Sequence, residues 1–197
     1  MHDLILDGLK YYYEAKDHDS DAYNVYGALV NKSAVCKGFS YAMMLVLSKL
    51  DIWCTIIAGK GEFNHAWNVV RIDDEYYNVD LTFDLKEDRI THEYFNVPDR
   101  VFLRDHPSDK APLCMSDRYD WYNVTGKICC GIDEISKMII EETKSRSDYI
   151  TFAYTHIPYD DVILTMKEAM RLTDVKSYSW SIRKKRQVIS IFNIVYT

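Results

Sequence analysis

A thiol, an imidazole and a carboxylate are the three parts of a thiol-nucleophile triad. This chain offers one of each in suggestive contexts: Cys36 in AVCKGFSYAMMLVL, His65 in NHAWNVV and Asp80 in YYNVDLTFD. In such a triad the thiolate attacks, the imidazole holds and shuttles its proton, and the carboxylate fixes the imidazole tautomer. Residue types alone decide little. A free cysteine is commonly a small buried apolar residue, and a strand histidine near an acid is commonly a satisfied structural pair. The chemistry depends on placement, and so on the elements that carry these residues.

Behind Cys36, the residues Phe39, Met43, Leu47 and Leu50 recur at helical spacing, with Leu45 and Val46 widening the stripe. Ahead of it, NVYGALVNKSAV reads as a short extended segment with a turn near Asn31-Lys32, and Ser33 is the expected N-cap. Cys36 is therefore expected in the first turn of a buried helix, where free N–H groups and the helix dipole favour a thiolate. FNHAWNVVRI and EYYNVDLTF read as two strands joined at Asp73-Asp74. In that register Ile72 faces Glu75, His65 faces Thr82, and Asp80 is a diagonal neighbour of His65. Diagonal Cβ atoms lie about 7–8 Å apart or less, within reach of a carboxylate–imidazole hydrogen bond. Trp67 and Val69 would share the His65 face, with Ala66 and Asn68 on the other. A slip of one residue would separate His65 from Asp80. A helix packed on the sheet would bring Cys36 to the His65 face.

The runs YGALVNKSAVCKGFSYA and HAWNVVRIDDEYYNVDLTFD resemble the transglutaminase-like core of the papain-like thiol enzymes, its bacterial branch in particular. The resemblance is strong over roughly residues 20–85 and continues more weakly through EYFNVPDRVFLRDHP. It implies an α+β fold in which a helix bearing the Cys packs on an antiparallel sheet bearing the His and the Asp. It implies acyl transfer at amides, with Cys36 as nucleophile, His65 as general base and acid, and Asp80 as the orienting carboxylate. Substrates in such families are peptide bonds, glutamine side chains or glycan-linked asparagine. The chain departs from the pattern at the oxyanion site. Animal transglutaminases place a Trp upstream of the nucleophile, and papain-like proteases a Gln, whereas here the first Trp is Trp53 and the sole Gln is Gln187. The Cys36 backbone N–H can be one donor. Tyr23, Asn24 and Tyr26 lie a short way upstream as candidates for the second, and Tyr26 and Trp67 are the residues assigned to oxyanion or substrate contact. Loss of one such donor typically costs about 10²–10³ in turnover, so weak activity, or a binding module of the same fold, stays open.

At 197 residues, 48% hydrophobic and 27% charged, the chain can bury one substantial core with an appended lobe. Its formal charge of −6 argues against general nucleic-acid binding and against attraction to anionic membranes. No apolar run is long enough for a membrane span, and no basic-then-apolar leader is present. MHDLILDGLKYYYEAKDHD reads as a helix fragment and a linker. The resemblance implies more helix ahead of it, so the chain reads as a piece of a longer, exported or cell-surface bacterial protein, with a peptide or cell-wall-associated protein as substrate. The five cysteines suggest no disulfide framework. The lack of any CxxC pair argues against structural zinc and against a peptide N-glycanase, whose family carries such pairs. No cofactor and no metal site is expected.

LKEDRITHEYFNVPDRVFLRDHPSDKAPLCMSDRYDWY holds Pro98, Pro107 and Pro112, shows little periodicity, and reads as mostly irregular chain wrapping the core. His92 and His106 fall here. His106 precedes a proline, so an extended, solvated loop residue is a better expectation for it than a metal ligand. DLTFDLKED lacks the glycine punctuation of a calcium loop. Beyond Gly131 regularity returns. IDEISKMIIEETKS and PYDDVILTMKEAMRLTDV read as helices, SDYITFAYTHI as a strand, and SYSWSIRKKRQVISIFNIVYT as two strands joined at residues 183–186. A charged hairpin turn accounts for RKKR without nucleic acid. The expected organisation is a catalytic core over 1–130 and an α–β–α–β–β lobe over 131–197 packed on it. Two functions from different classes follow: a thiol hydrolase or acyltransferase on peptide or protein amides, hydrolysis ahead of transglutamination, or a scaffold that has lost efficient chemistry.

Overall fold

The turn at Asp73-Asp74 sets the register of the first sheet. Both residues adopt left-handed backbone, φ 49° and 66°, the conformation of a two-residue turn whose twist matches the flanking strands. The pairing that follows is Ile72 with Glu75, Arg71 with Tyr76, Val70 with Tyr77, Val69 with Asn78 and Asn68 with Val79, as read from the sequence. In the computed structural model, residues 1–14, 20–59, 64–87, 89–109 and 112–197 are described. The end of the N-terminal linker stretch, residues 15–19, and Asp88 of the DLTFDLKED segment lie outside them. The chain forms two compact units, Met1–Trp121 and Tyr122–Thr197. The division falls earlier than the boundary at 130 expected from the sequence, because a short strand at Ile128–Cys129 joins the second sheet.

The first unit begins with helix α1 (His2–Leu6), strand β1 (Lys10–Tyr11), helix α2 (Val25–Leu29) and strand β2 (Ser33–Ala34). Helix α3 (Cys36–Ser48) follows. Next come β3 (Cys54–Gly59), β4 (His65–Ile72) and β5 (Glu75–Val79), then helix α4 (Leu81–Asp84), β6 (Phe95–Val97) and helix α5 (Asp99–Phe102). The sheet runs β3-β4-β5-β6, antiparallel throughout. Strand β6 lies within the segment expected to be irregular. It is three residues long and stops just before Pro98, too short for alternation to declare itself.

Helix α3 buries Phe39, Ala42, Met43 and Leu47 against Val70, Tyr77 and Val79. Its start differs from expectation at Ser33, which pairs in parallel with Lys10 as part of β2. The cap position falls to Val35, whose side chain makes no capping bond. Its backbone N–H donates instead to the Ala22 carbonyl at 3.0 Å. Gly38 permits this crowding. A Cβ there would stand 2.5 Å from the Ala22 oxygen and 2.8 Å from the Ala34 Cβ, so the helix start is locked against the chain on both sides.

The second unit opens with helix α6 (Trp121–Val124), which spans the division between the units, and β7 (Ile128–Cys129). It continues with α7 (Ile132–Lys144), β8 (Ile150–Tyr154), α8 (Tyr159–Arg171), β9 (Val175–Arg183) and β10 (Val188–Tyr196). From α7 onward this is the expected α–β–α–β–β order. Its sheet runs β7-β8-β10-β9, with β7 and β8 parallel. Ile135 and Ile139 of α7 and Val162, Met166 and Met170 of α8 pack on Ile150, Phe152, Ile189 and Ile191. No helix among the described residues is long and apolar enough to cross a membrane.

Candidate active site

Strand β4 starts at His65, and helix α3 starts at Cys36. Alternation along β4 sends Asn68 and Val70 toward α3. The Asn68 amide donates to the Ser40 carbonyl of α3 at 3.1 Å, and Val70 shares the α3 core. Trp67 and Val69 belong to a separate cluster with Ile57, Tyr94, Val97 and Phe102. The helix thus packs on the face opposite the one expected. Cys36 reaches His65 at the end of the strand, where the helix N-terminus meets the beginning of β4. There the His65 imidazole and the Ala66 backbone N–H both act to stabilise the Cys36 thiolate.

Asp80 also arrives by a route other than the predicted ladder. Strand β5 ends at Val79, and Asp80 caps α4, its Oδ1 accepting from the N–H groups of Thr82 at 2.9 Å and Phe83 at 3.1 Å. His65 pairs with Gly59 of β3, so no pairing with Thr82 forms. The cap leaves Asp80 Oδ2 to accept from His65 Nε2 at 2.6 Å. With Nε2 committed, Nδ1 is the ring nitrogen left for Cys36. Asp80 is almost wholly buried and His65 nearly so, with 1% and 17% of their side chains exposed.

The electrostatics follow from these contacts. Burial opposes ionisation of Cys36, but the hydrogen bond and charge of His65 and the Ala66 N–H outweigh it and hold the thiol below its ordinary value. Burial also disfavours a charged His65, yet Asp80 and Cys36 raise its pKa to about 10. Burial works against the Asp80 carboxylate as well, and hydrogen bonds from His106 and His65 override it, keeping the group well below the usual carboxylate range. Elsewhere burial pushes thiols the other way: Cys54 up to about 11, Cys129 up to about 12, and Cys114 upward too.

The two residues expected at the oxyanion lie in different settings. Trp67 is buried, 2% exposed, with its indole N–H shut away from solvent and without an acceptor among the described residues. Its ring stacks beside His65 at 6.1 Å, so its bulk shields the His65–Asp80 bond. Tyr26 is about half exposed on α2. No hydrogen bond or ring contact among the described residues joins it to Cys36, His65 or Asp80. Asn24 spends its side chain capping α2, accepting from the Tyr26 and Gly27 N–H groups. The tyrosine that does sense the site is Tyr11. Burial first, then the charge of Cys36, with Tyr13, Tyr23 and Asp80 behind, raises its pKa. The parallel pairing of Tyr11 with Ala34, two residues before Cys36, brings it there, and nothing in the local pattern of LKYYYE announces that pairing.

His106 is the other surprise. Expected in a solvated loop, it is buried, 1% exposed, and its Nε2 lies 2.8 Å from the same Asp80 Oδ2 that His65 uses. Its only local signal is the apolar run VFL ahead of it. Among the described residues, metal-ligating atoms gather within 4.8 Å of one another in two groups, His2–Asp3–His92 and His65–Asp80–His106. Imidazole–carboxylate hydrogen bonds of 2.6–2.8 Å account for the spacing in both. In the first group His2 is anchored further by the fully buried Asp84, 3.0 Å from its Nε2.

No protein-family model and no curated protein sequence matches the chain. Solved structures similar to part of it include these two. One is a transglutaminase crystal structure, 17% identical over 45% of this chain and 26% of the other, with a TM-score of 0.38. The second is reported as a candidate cysteine protease from Cytophaga hutchinsonii, 17% identical over 41% of this chain and 29% of the other, with a TM-score of 0.35. The similar region spans less than a third of each of those chains.

Proposed function

We propose that this chain is a thiol hydrolase acting on peptide or protein amide bonds, with Cys36 as nucleophile, His65 as general base and acid, and Asp80 as the carboxylate that orients His65. One observation carries the reading. A thiol at a helix start is held below its ordinary pKa by an imidazole that is itself fixed at 2.6 Å to a buried carboxylate. In acylation the Cys36 sulfur forms a bond to the amide carbon, and the carbonyl electron pair moves to oxygen. As that oxyanion collapses, the C–N bond breaks and the leaving nitrogen takes the proton from His65. In deacylation water attacks the thioester, His65 takes its proton, and the thiolate departs. The Cys36 N–H, at a helix start without an intrahelical acceptor, and the Tyr11 hydroxyl are the proposed oxyanion donors. An amine replacing water in the second half-reaction would give transglutamination, through the same acyl-enzyme.

The pH window follows from the shifts. Cys36 loses its proton below the ordinary thiol value, and His65 keeps its own up to about 10. Between those limits the site is a thiolate–imidazolium pair, titrating as a pair. Amide cleavage is expected to rise as the thiol ionises and to fall near pH 10, when no proton remains on His65 for the leaving nitrogen. The test is the pH dependence of Cys36 alkylation by iodoacetamide, read by peptide mass spectrometry beside His65→Ala. Fast, selective modification of Cys36 below the ordinary thiol range, abolished in His65→Ala, is expected. Modification of Cys36 no faster than that of Cys54 would sink the reading and leave a binding module. Fluorogenic peptides with and without a primary amine then separate hydrolysis from transamidation.

A further inference from the structure

We infer that His106 is a second positioning residue of the triad. Held as an imidazolium between Asp80 and Asp105, it fixes the Asp80 carboxylate and limits how tightly that carboxylate holds the His65 proton. The inference deepens the proposed function and rests on it. Both ring nitrogens of His106 face carboxylate oxygens, Nε2 at 2.8 Å from Asp80 Oδ2 and Nδ1 at 2.9 Å from Asp105 Oδ1. An ionised carboxylate only accepts, so satisfying both contacts requires a proton on each nitrogen. The Tyr94 hydroxyl donates to the second Asp105 oxygen at 2.7 Å, which favours the ionised form of that acid.

The walls suit a cation. Phe102 stacks on the His106 ring with centroids 4.1 Å apart, and Phe83, Tyr94 and Trp67 close around it at 4.6, 5.2 and 5.4 Å. Aromatic faces attract buried cations. The titratable groups that face His106 are Asp80, Asp105, Tyr94 and His65, whose ring centroid is 5.5 Å away. Burial opposes the charge, and Asp105 and Asp80 prevail over it to raise the His106 pKa.

The consequence is a shared acceptor. Asp80 Oδ1 serves two backbone N–H groups and Oδ2 serves two imidazoles, so each of the four lone-pair directions of the carboxylate is taken. A carboxylate serving His65 alone would hold its proton more tightly. His65 would then be a poorer acid toward the leaving nitrogen, since a proton donor works best with a pKa near the working pH.

An NMR titration of histidine-labelled protein tests this. At neutral pH both ring nitrogens of His106 are expected to carry protons. In His106→Gln, His65 is expected to hold its proton about tenfold more tightly, a rise of about one pH unit, and in Asp105→Asn to shift the same way by less. A neutral His106 in the wild-type protein would overturn the inference. So would an unmoved His65 in folded variants, the result a merely structural His106 predicts. If His106→Gln fails to fold, Asp105→Asn and the wild-type nitrogen shifts decide. Cys36→Ala in the same titration separates this from the triad itself. His65 moved by loss of the thiolate but unmoved by both other variants overturns the role of His106 alone. His65 unmoved by Cys36→Ala overturns the triad, and this inference with it.

Discussion

Helices α3 and α7 are each 13 residues long, and each begins at or just after a cysteine and packs on an antiparallel pair of strands. The thiols have opposite fates. Cys36 opens α3 with no acidic residue in the first turn, and His65 and the Ala66 N–H lower its thiol pKa. Cys129 lies ahead of an α7 first turn that carries Asp133 and Glu134. Burial and then the Glu134 charge push its thiol up to about 12. The cleft beside it, lined by Lys127, Cys130, Glu134 and Glu142 among others, contains no imidazole. A helix start is therefore insufficient to make a thiolate. The partner base and the sign of the first-turn charges decide.

Asp80→Asn should break the contrast most severely. The change removes the buried anion that two imidazoles share, and stranding such partners costs about 3–5 kcal/mol, read by urea unfolding at neutral pH. The sign with pH is fixed by the depressed Asp80 value. The stabilisation is full above the unfolded carboxylate pKa of about 3.9 and is lost as pH falls through the lower folded value. His65 adds the opposite limb, full below its unfolded value of about 6.5 and lost as pH rises through about 10. Tyr11→Phe is next. Peptide turnover should fall about 10²-fold while alkylation of Cys36 stays within about twofold, because alkylation forms no oxyanion. Equal losses in both would remove Tyr11 from the oxyanion site.

Gly38→Ala addresses the placement of the helix start. Its Cβ meets backbone at 2.5 Å, so a loss of about 1–3 kcal/mol in thermal unfolding should come with slower Cys36 alkylation. Full alkylation in a destabilised protein would show that the site tolerates a shifted helix. The smallest effect belongs to Cys129→Ala, where about 1 kcal/mol of stability should go with the Cys36 alkylation profile unchanged. A changed profile would tie the second unit to the site.

Much of the frame was legible. The hairpin register followed from one dipeptide turn, and the α3 stripe from its 3.6-residue period. The order of elements after α7 could be read from alternating periodicities. Two of the errors share a cause. Ser33, expected to cap, went into a two-residue parallel strand, and Asp80, expected in a ladder, became a cap. Both are end positions, where side chain and backbone compete for the same N–H groups and local pattern is weakest. Trp67 was placed on the correct side of its strand, but the strand pattern carried no information about how deeply that side is buried.

The sequence alone determined that Cys36 opens a helix and that His65 lies on a hairpin strand, because helix starts and hairpin turns are encoded within a few residues of themselves. Tertiary structure decided which face of the sheet α3 covers, that Tyr11 pairs with Ala34 two residues before Cys36, and that His106 shares Asp80 across 26 positions of chain. Those contacts join segments with no common periodicity. They exist because a buried carboxylate must gather its hydrogen-bond donors from wherever the packed core presents them.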